Sequence, residues 1–298
     1  MKILRCMLLS IAASLSVSAH AVLPDNYQAL NSDQKQTILW TNIEVSHQLE
    51  PLPKLKESSY WDAYTVLSGL FNLKPSFDYF YDEVPEDRIK IIHANGSSAK
   101  ISFVPASGHP FTGIYQSGGM GIARLSLATT PTDTSFIPGM AIKFLLPDNA
   151  SLNLHVMNQL SGQGKDWNFF AKPFSNKIDH PSGWVLRAIE KIFSWTRSPA
   201  NDLPVKHLAQ WDNQGHIVDE PISPKQLHFK PSENVSNSIE ATSRDDFRLA
   251  LENIKEGGLY DVYGDLDGVE YHIGTLMLDS QLLASNYGDK DLFFQHRR

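Results

Sequence analysis

The sequence predicts an α+β protein: a helical N-terminal arm, then a barrel or sandwich of short antiparallel strands with helices inserted. Two observations carry this. From about Arg88 onward, segments 89–92, 99–103, 121–127, 139–146 and 151–157 are each brief, β-prone and punctuated by Gly, Pro or Asn. Before that point, residues 22–85 show apolar positions at helical spacing instead. With 42% hydrophobic residues in 298, the chain can bury a sizeable core. A net charge of -7 argues against a general nucleic-acid binder.

The first element, residues 1–21, reads as a secretory leader. Lys2 and Arg5 give the positive start, residues 7–17 the short apolar run, and Ala19-His20-Ala21 the small residues of a cleavage site. Cleavage near Ala21 predicts a secreted or periplasmic product of 277 residues, and losing two basic residues takes the charge to -9. The single cysteine, Cys6, leaves with the leader, so the mature chain has no cysteine for a disulfide, zinc or iron–sulfur site. No later segment has the length of a membrane span.

In the arm, 22–85, Asn31-Ser32-Asp33 offers an N-cap, and Ile38, Leu39, Ile43 and Val45 follow at helical spacing. Pro51 and Pro53 break this helix, and a second stretch spans 58–72. The aromatics Phe77, Tyr79, Phe80 and Tyr81 read as packing, since Asp78, Asp82 and Glu83 would repel phosphate. The strand-rich part, 86–298, is interrupted by a helix over 182–195, with Trp184, Val185, Ile189, Ile192 and Phe193 on one face. Two closing strands are expected at 260–263 and 270–278, with Asp265-Leu266-Asp267-Gly268 as the hairpin turn between them.

Several motifs fall away. Gly162-Gln163-Gly164-Lys165 lacks the spacing and hydroxyl of a phosphate loop, and there is no Gly-x-Ser-x-Gly elbow or His-Glu-x-x-His helix. Gly113, Gly121 and Gly139 suit barrel bends and close packing, and Trp167–Phe170 suits a core. His207, His216, His228 and His296 lack metal-ligand spacing and read as surface residues.

Three segments remain. Lys90-Ile91-Ile92-His93-Ala94-Asn95-Gly96 runs into Ala99–Phe103. Gly121-Ile122-Ala123-Arg124-Leu125-Ser126 leads to Gly139-Met140-Ala141-Ile142-Lys143-Phe144. Asn153-Leu154-His155-Val156-Met157-Asn158 precedes Asn168-Phe169-Phe170. In order and spacing this set resembles the core of the haem catalases, well over 88–170 and loosely over 225–296. The Thr112-Gly113-Ile114-Tyr115 and Gly288-Asp289-x-x-Leu292-Phe293-Phe294 blocks make it more similar to the short catalase-like barrels.

The resemblance implies a catalase-like antiparallel β-barrel holding haem. It implies His93 as distal acid/base, Ser126 as the residue bonding its ring, Asn158 as the distal amide and Arg124 as a propionate partner. Lys90 stands where the family usually has Arg. The family's proximal Tyr lies on a helix beyond the barrel, and this sequence ends at Arg298, about where that helix would begin. Tyr287-Gly288-Asp289 is the remaining candidate for the iron ligand, with Leu283 where the family has Arg; packing is its other reading. Family precedent also implies a possible homo-oligomer through the arm.

The residue types suit peroxide. Heterolysis of the O–O bond needs a base that takes a proton from one oxygen and returns it to the other, and a neutral His does so. An amide donates without competing for that proton, and a hydroxyl on the second ring nitrogen fixes the tautomer. Taken singly, each residue also fits a bland role: His93 or Ser126 as a wall residue bonding backbone, Asn158 in a polar turn, Arg124 in a salt bridge. The expected activity is therefore on hydrogen peroxide or organic (lipid) hydroperoxides. The alternative is a haem-free barrel of the same kind that binds an apolar ligand or a protein partner.

Overall fold

In the computed structural model the described residues are 24, 26–49, 95–127, 138–145, 151–158, 170–175, 222–239, 246–284 and 292. The leader, the helix at 58–72, the aromatics at 77–81, the strand at 89–92, His93, the helix at 182–195 and Tyr287 lie outside them.

The expected arm helix is present as α1 (Ser32–Leu49), after a single 3-10 turn at Tyr27–Ala29. Its start is set by a reciprocal cap. The Gln34 amide donates to Asn31 Oδ1 at 2.9 Å, and the Asn31 amide donates to Gln34 Oε1 at 3.2 Å. Leu39, Trp40 and Ile43 are buried, while Val45, expected on the same face, is 38% exposed. The packed face instead continues through Gln36 and Lys35, both buried. The Lys35 ammonium lies 5.9 Å from the Tyr27 ring, whose phenol burial pushes up to about 12.

The strands are β1 (Asn95–Pro105), β2 (Gly119–Leu127), β3 (Pro138–Leu145), β4 (Ser151–Asn158), β5 (Phe174–Ser175), β6 (Gln226–Pro231), β7 (Gly257–Leu266), β8 (Val269–Leu278) and β9 (Leu283–Ala284). Short helices α2 (Ile114–Ser117), α3 (Glu233–Ile239) and α4 (Phe247–Leu251) fall between them. Every pairing is antiparallel, running β1 to β2 and on through β8, which returns to β1; β9 adds to the same edge of β1 as β8. The result is a curled, barrel-like sheet. Deep ladders join β7, β8, β1, β2, β3 and β4, whereas β5 spans its gap with two residues. The turn at Asp267-Gly268 is the expected two-residue hairpin loop: both residues have positive φ, 53° and 84°. Strand β6 and helices α3 and α4 were not expected from the sequence.

Cross-strand partners share a face, so the register sorts the residues into inner and outer rows. Ala99, Ala123, Ile142 and Leu154 form one inner row, and Ser97, Leu125, Met140 and Val156 the next. Both belong to a core completed by Phe103, Phe144, Phe170, Phe174, Phe229 and Tyr260, so Phe170 is core as expected. Each such aromatic contributes roughly 1.5–3 kcal/mol by burial. The Tyr260 hydroxyl donates to the Phe170 carbonyl at 2.8 Å, which lets a phenol sit in that core.

A second cluster lies outside the sheet, where α1 packs Leu39, Trp40 and Ile43 on Ile122, Leu145, Leu283 and Leu292. Polar side chains fasten this contact to strand carbonyls. Ser32 Oγ donates to Leu145 O at 2.7 Å, and Gln36 Nε2 donates to Ile101 O at 3.1 Å and Gly121 O at 2.8 Å. A carbonyl can only accept, so His47 donates through Nδ1–H to Ala284 O, 2.8 Å away. Gly121 is obligatory for a spatial reason: a Cβ there would stand 2.0 Å from Lys143 O on the neighbouring strand. Close packing was the role expected of it.

Removing the Gln36 bridge leaves two buried carbonyls short of a donor. Gln36→Leu should lower unfolding free energy by about 1–3 kcal/mol in urea with an unchanged m-value. Gln36→Glu should cost at least as much, because a carboxylate cannot donate to a carbonyl. Midpoints equal to wild type would remove the bridge from the account of arm docking.

Candidate functional site

Of the expected site residues, Arg124, Ser126 and Asn158 fall within the described residues; His93 and Tyr287 do not. Arg124 and Ser126 alternate with the inner residues Ala123 and Leu125, which puts both on the outer face of β2. Their rows follow from the ladders. Ser126 pairs with Gly96 on β1 and Gly139 on β3; Arg124 pairs with Ser98 on β1 and Ala141 on β3. Apart from Arg124, no side chain in this group of six is larger than a hydroxymethyl.

Arg124 is 3% exposed and Ser126 4%, so both are buried although they lie outside the sheet's core. Ser126 Oγ is 3.5 Å from Gly139 O, the outer limit of a hydrogen bond, which matches the bland reading of a hydroxyl turned to its own ladder. The Arg124 guanidinium lies against Gly96. A Cβ on that glycine would stand 2.6 Å from Cζ and 2.8 Å from Nη2. Gly96 closes the His93-Ala94-Asn95-Gly96 segment, so this cation sits beside the chain that leads directly from the candidate base.

Asn158 is the last residue of β4 and pairs with Phe174 on β5. The Ser126 row reaches β4 at Met157, so Asn158 stands one register position away from it. His228, expected at the surface, is half-buried on β6. Among the described residues, no group of three or more His, Cys, Asp or Glu could hold a metal ion, and no helix is long and apolar enough to cross a membrane.

Sequence reasoning missed the other buried polar groups. Arg248 is fully buried and paired with Asp246, Nη2 to Oδ2 at 2.7 Å, while Asp246 Oδ1 also accepts the Arg248 amide and caps α4. An Asp two residues before an Arg is too common a pattern to signal this. Near the far end of β1, the His109 ring packs on Phe111 with centroids 5.7 Å apart, and neither ring nitrogen has a hydrogen-bond partner of normal geometry. The Tyr115 hydroxyl is likewise buried without a partner, and burial pushes its phenol well above the ordinary range. No motif marks His109, and Tyr115 enters the sequence reading only as part of the Thr112–Tyr115 block.

Burial pulls the His109 imidazole below its ordinary value. The backbone carbonyls of Tyr115, Ala106 and Ile273 oppose the shift, and His272 adds to it. The unfolded chain then binds this proton more readily than the folded one. His109 contributes stability above about pH 6.5 that is lost as the pH falls below it. Burial raises the carboxyls of Glu252 and Asp279, which act with the opposite sign on acidification, so a variant comparison isolates the histidine. Urea midpoints measured at pH 7.5 and 5.5 should fall less in His109→Phe than in wild type, and parallel falls would contradict this assignment.

No protein-family model matches the chain and no curated protein matches it significantly, so the residues themselves carry any functional reading.

Proposed function

We propose that this protein is a secreted, haem-binding, catalase-like barrel that acts on hydrogen peroxide or organic (lipid) hydroperoxides. The observation that carries the reading is the buried Arg124 guanidinium, laid against the glycine that ends the His93 segment. An arginine out of water on the outside of a β-sheet suits a ligand carboxylate. Its ladder neighbours Gly96, Ser98, Ser126, Gly139 and Ala141 are all small. A guanidinium is the type of group that pairs with a haem propionate.

In this reading Arg124 would hold a propionate and Tyr287 would ligate the iron. Bound haem would supply the redox chemistry of the O–O bond. His93 would take the proton from one peroxide oxygen and return it to the other. Asn158 would donate its amide to the peroxide, and Ser126 would orient the His93 ring. The leader accounts for export, and part of the arm beyond α1 would be available to join copies of the chain.

Reconstitution tests the reading. Haemin added to the purified mature chain should give a Soret band at one haem per chain. His93→Ala should keep that band and abolish peroxide consumption. Tyr287→Phe should shift the spectrum. Absence of stoichiometric haem would sink the enzyme reading in favour of a haem-free barrel that binds an apolar ligand or partner.

A further inference from the structure

Beyond the end of β1, residues 107–111 form a short strap fastened on both sides. On one side the Ala106 amide donates to Ile273 O at 3.0 Å. On the other, the Thr112 amide donates to Ile222 O at 2.9 Å, and the Ile222 amide donates to Thr112 Oγ1 at 2.8 Å. Between these ties Ser107 and Gly108 are exposed, and Gly108 has φ 88° with nothing within 4 Å of a Cβ built on it. A positive-φ glycine in open space is a point where the strap can flex. Phe111 is its inward knob. It is fully buried, edge-on to Tyr271 at 5.8 Å and to Tyr115 at 6.2 Å, and a Cβ on Gly264 would stand 2.9 Å from its Cε2.

The ring stacked behind this knob is His109, 5.7 Å from Phe111 between centroids. The residue is half-buried, but both its nitrogens are out of water, with the Tyr115, Ala106 and Ile273 carbonyls beside the ring outside normal hydrogen-bond geometry. The titratable groups on the elements packed against it are Tyr115 on α2 and Tyr271 and His272 on β8. His272 adds only like charge, and its own carboxylate neighbour is Asp261 on β7, Nε2 to Oδ1 3.9 Å. Asp265, Asp267 and Glu270 are the other acids of that hairpin, and among the described residues no carboxylate acts on His109.

We propose that the strap is an acid-released plug: protonation of His109 flexes it at Gly108 and withdraws Phe111 while the sheet stays paired. The carbonyls offset only part of the cost of a cation held there, because burial pulls the imidazole below its ordinary value. Swung into water, the same ring takes its proton at about pH 6.5. The open strap therefore binds the proton better, and acid shifts the balance toward it. Opening breaks no strand ladder, so it lies at the low-cost end of local unfolding. What it uncovers is the end of the core at Tyr115 and Tyr271. The device is independent of any haem.

Fluorine NMR of the full mature chain carrying para-fluorophenylalanine tests it. The Phe111 signal is assigned by its absence from Phe111→Leu. The readout is the solvent isotope shift between light and heavy water, which rises only when the fluorine meets water. From pH 7.5 to 5.5 the open-to-closed ratio at Phe111 should rise up to about tenfold, the limit set by one proton and an open-state pKa near 6.5. Phe170 and Phe229 should stay dry at both values. His109→Gln should remove the rise, with His109→Leu in its place should the first fail to fold. An unchanged Phe111 shift, or the same rise in the variants, would overturn the proposal. So would wetting of Phe170 and Phe229 together with Phe111, since the whole core would then be opening.

Discussion

The antiparallel register sets which strand side chains face the core and which face outward. Along β1 and β2 the alternation of faces sends Ala99, Ile101, Ala123 and Leu125 inward and leaves Gly96, Ser98, Arg124 and Ser126 outside. Slipping one strand by a residue would drive Arg124 into a core of phenylalanines and expel Leu125, at a cost no other contact here could offset. The return of the pairing from β8 to β1 locks this choice, because a slip at one ladder must propagate through its neighbours.

The outer face is then shared between two kinds of packing. Over Ile122, Leu145 and Leu283 it is apolar and α1 covers it; over Gly96, Arg124 and Ser126 it is small and polar. Beside its apolar stripe, the helix is fastened by Ser32, Gln36 and His47, which donate to carbonyls on β3, on β1 and β2, and on β9. Because these acceptors belong to different strands, docking the helix also fixes the strands relative to each other. His47 thereby ties α1 to β9 at Ala284, three residues before Tyr287 in the sequence.

Much of this was legible in the sequence, for definable reasons. The Asn31 cap, the strand segments at 121–127, 139–146 and 151–157, and the Asp267-Gly268 turn each depend on local chemistry, and all are present within a residue or two. Strand β6 went unread because its alternation, Gln226 to Pro231, is short and ends in a proline. The buried face of α1 was misjudged at Val45 because Gln36 and Lys35 take part in it, and hydrophobic spacing cannot anticipate a glutamine paired to strand carbonyls. The His109 ring packed on Phe111 and the Asp246–Arg248 pair are consequences of tertiary packing with no local signature.

The same distinction bears on the site. Read along the chain, the glycine of His93-Ala94-Asn95-Gly96 and the arginine of Arg124-Leu125-Ser126 belong to separate motifs. In space they are one unit, since the side chain absent from the first is the room occupied by the second. Either residue alone is unremarkable: a strand glycine weakens its ladder, and a buried arginine is costly. The arginine fills the space beside the glycine, and the glycine leaves room for a buried guanidinium.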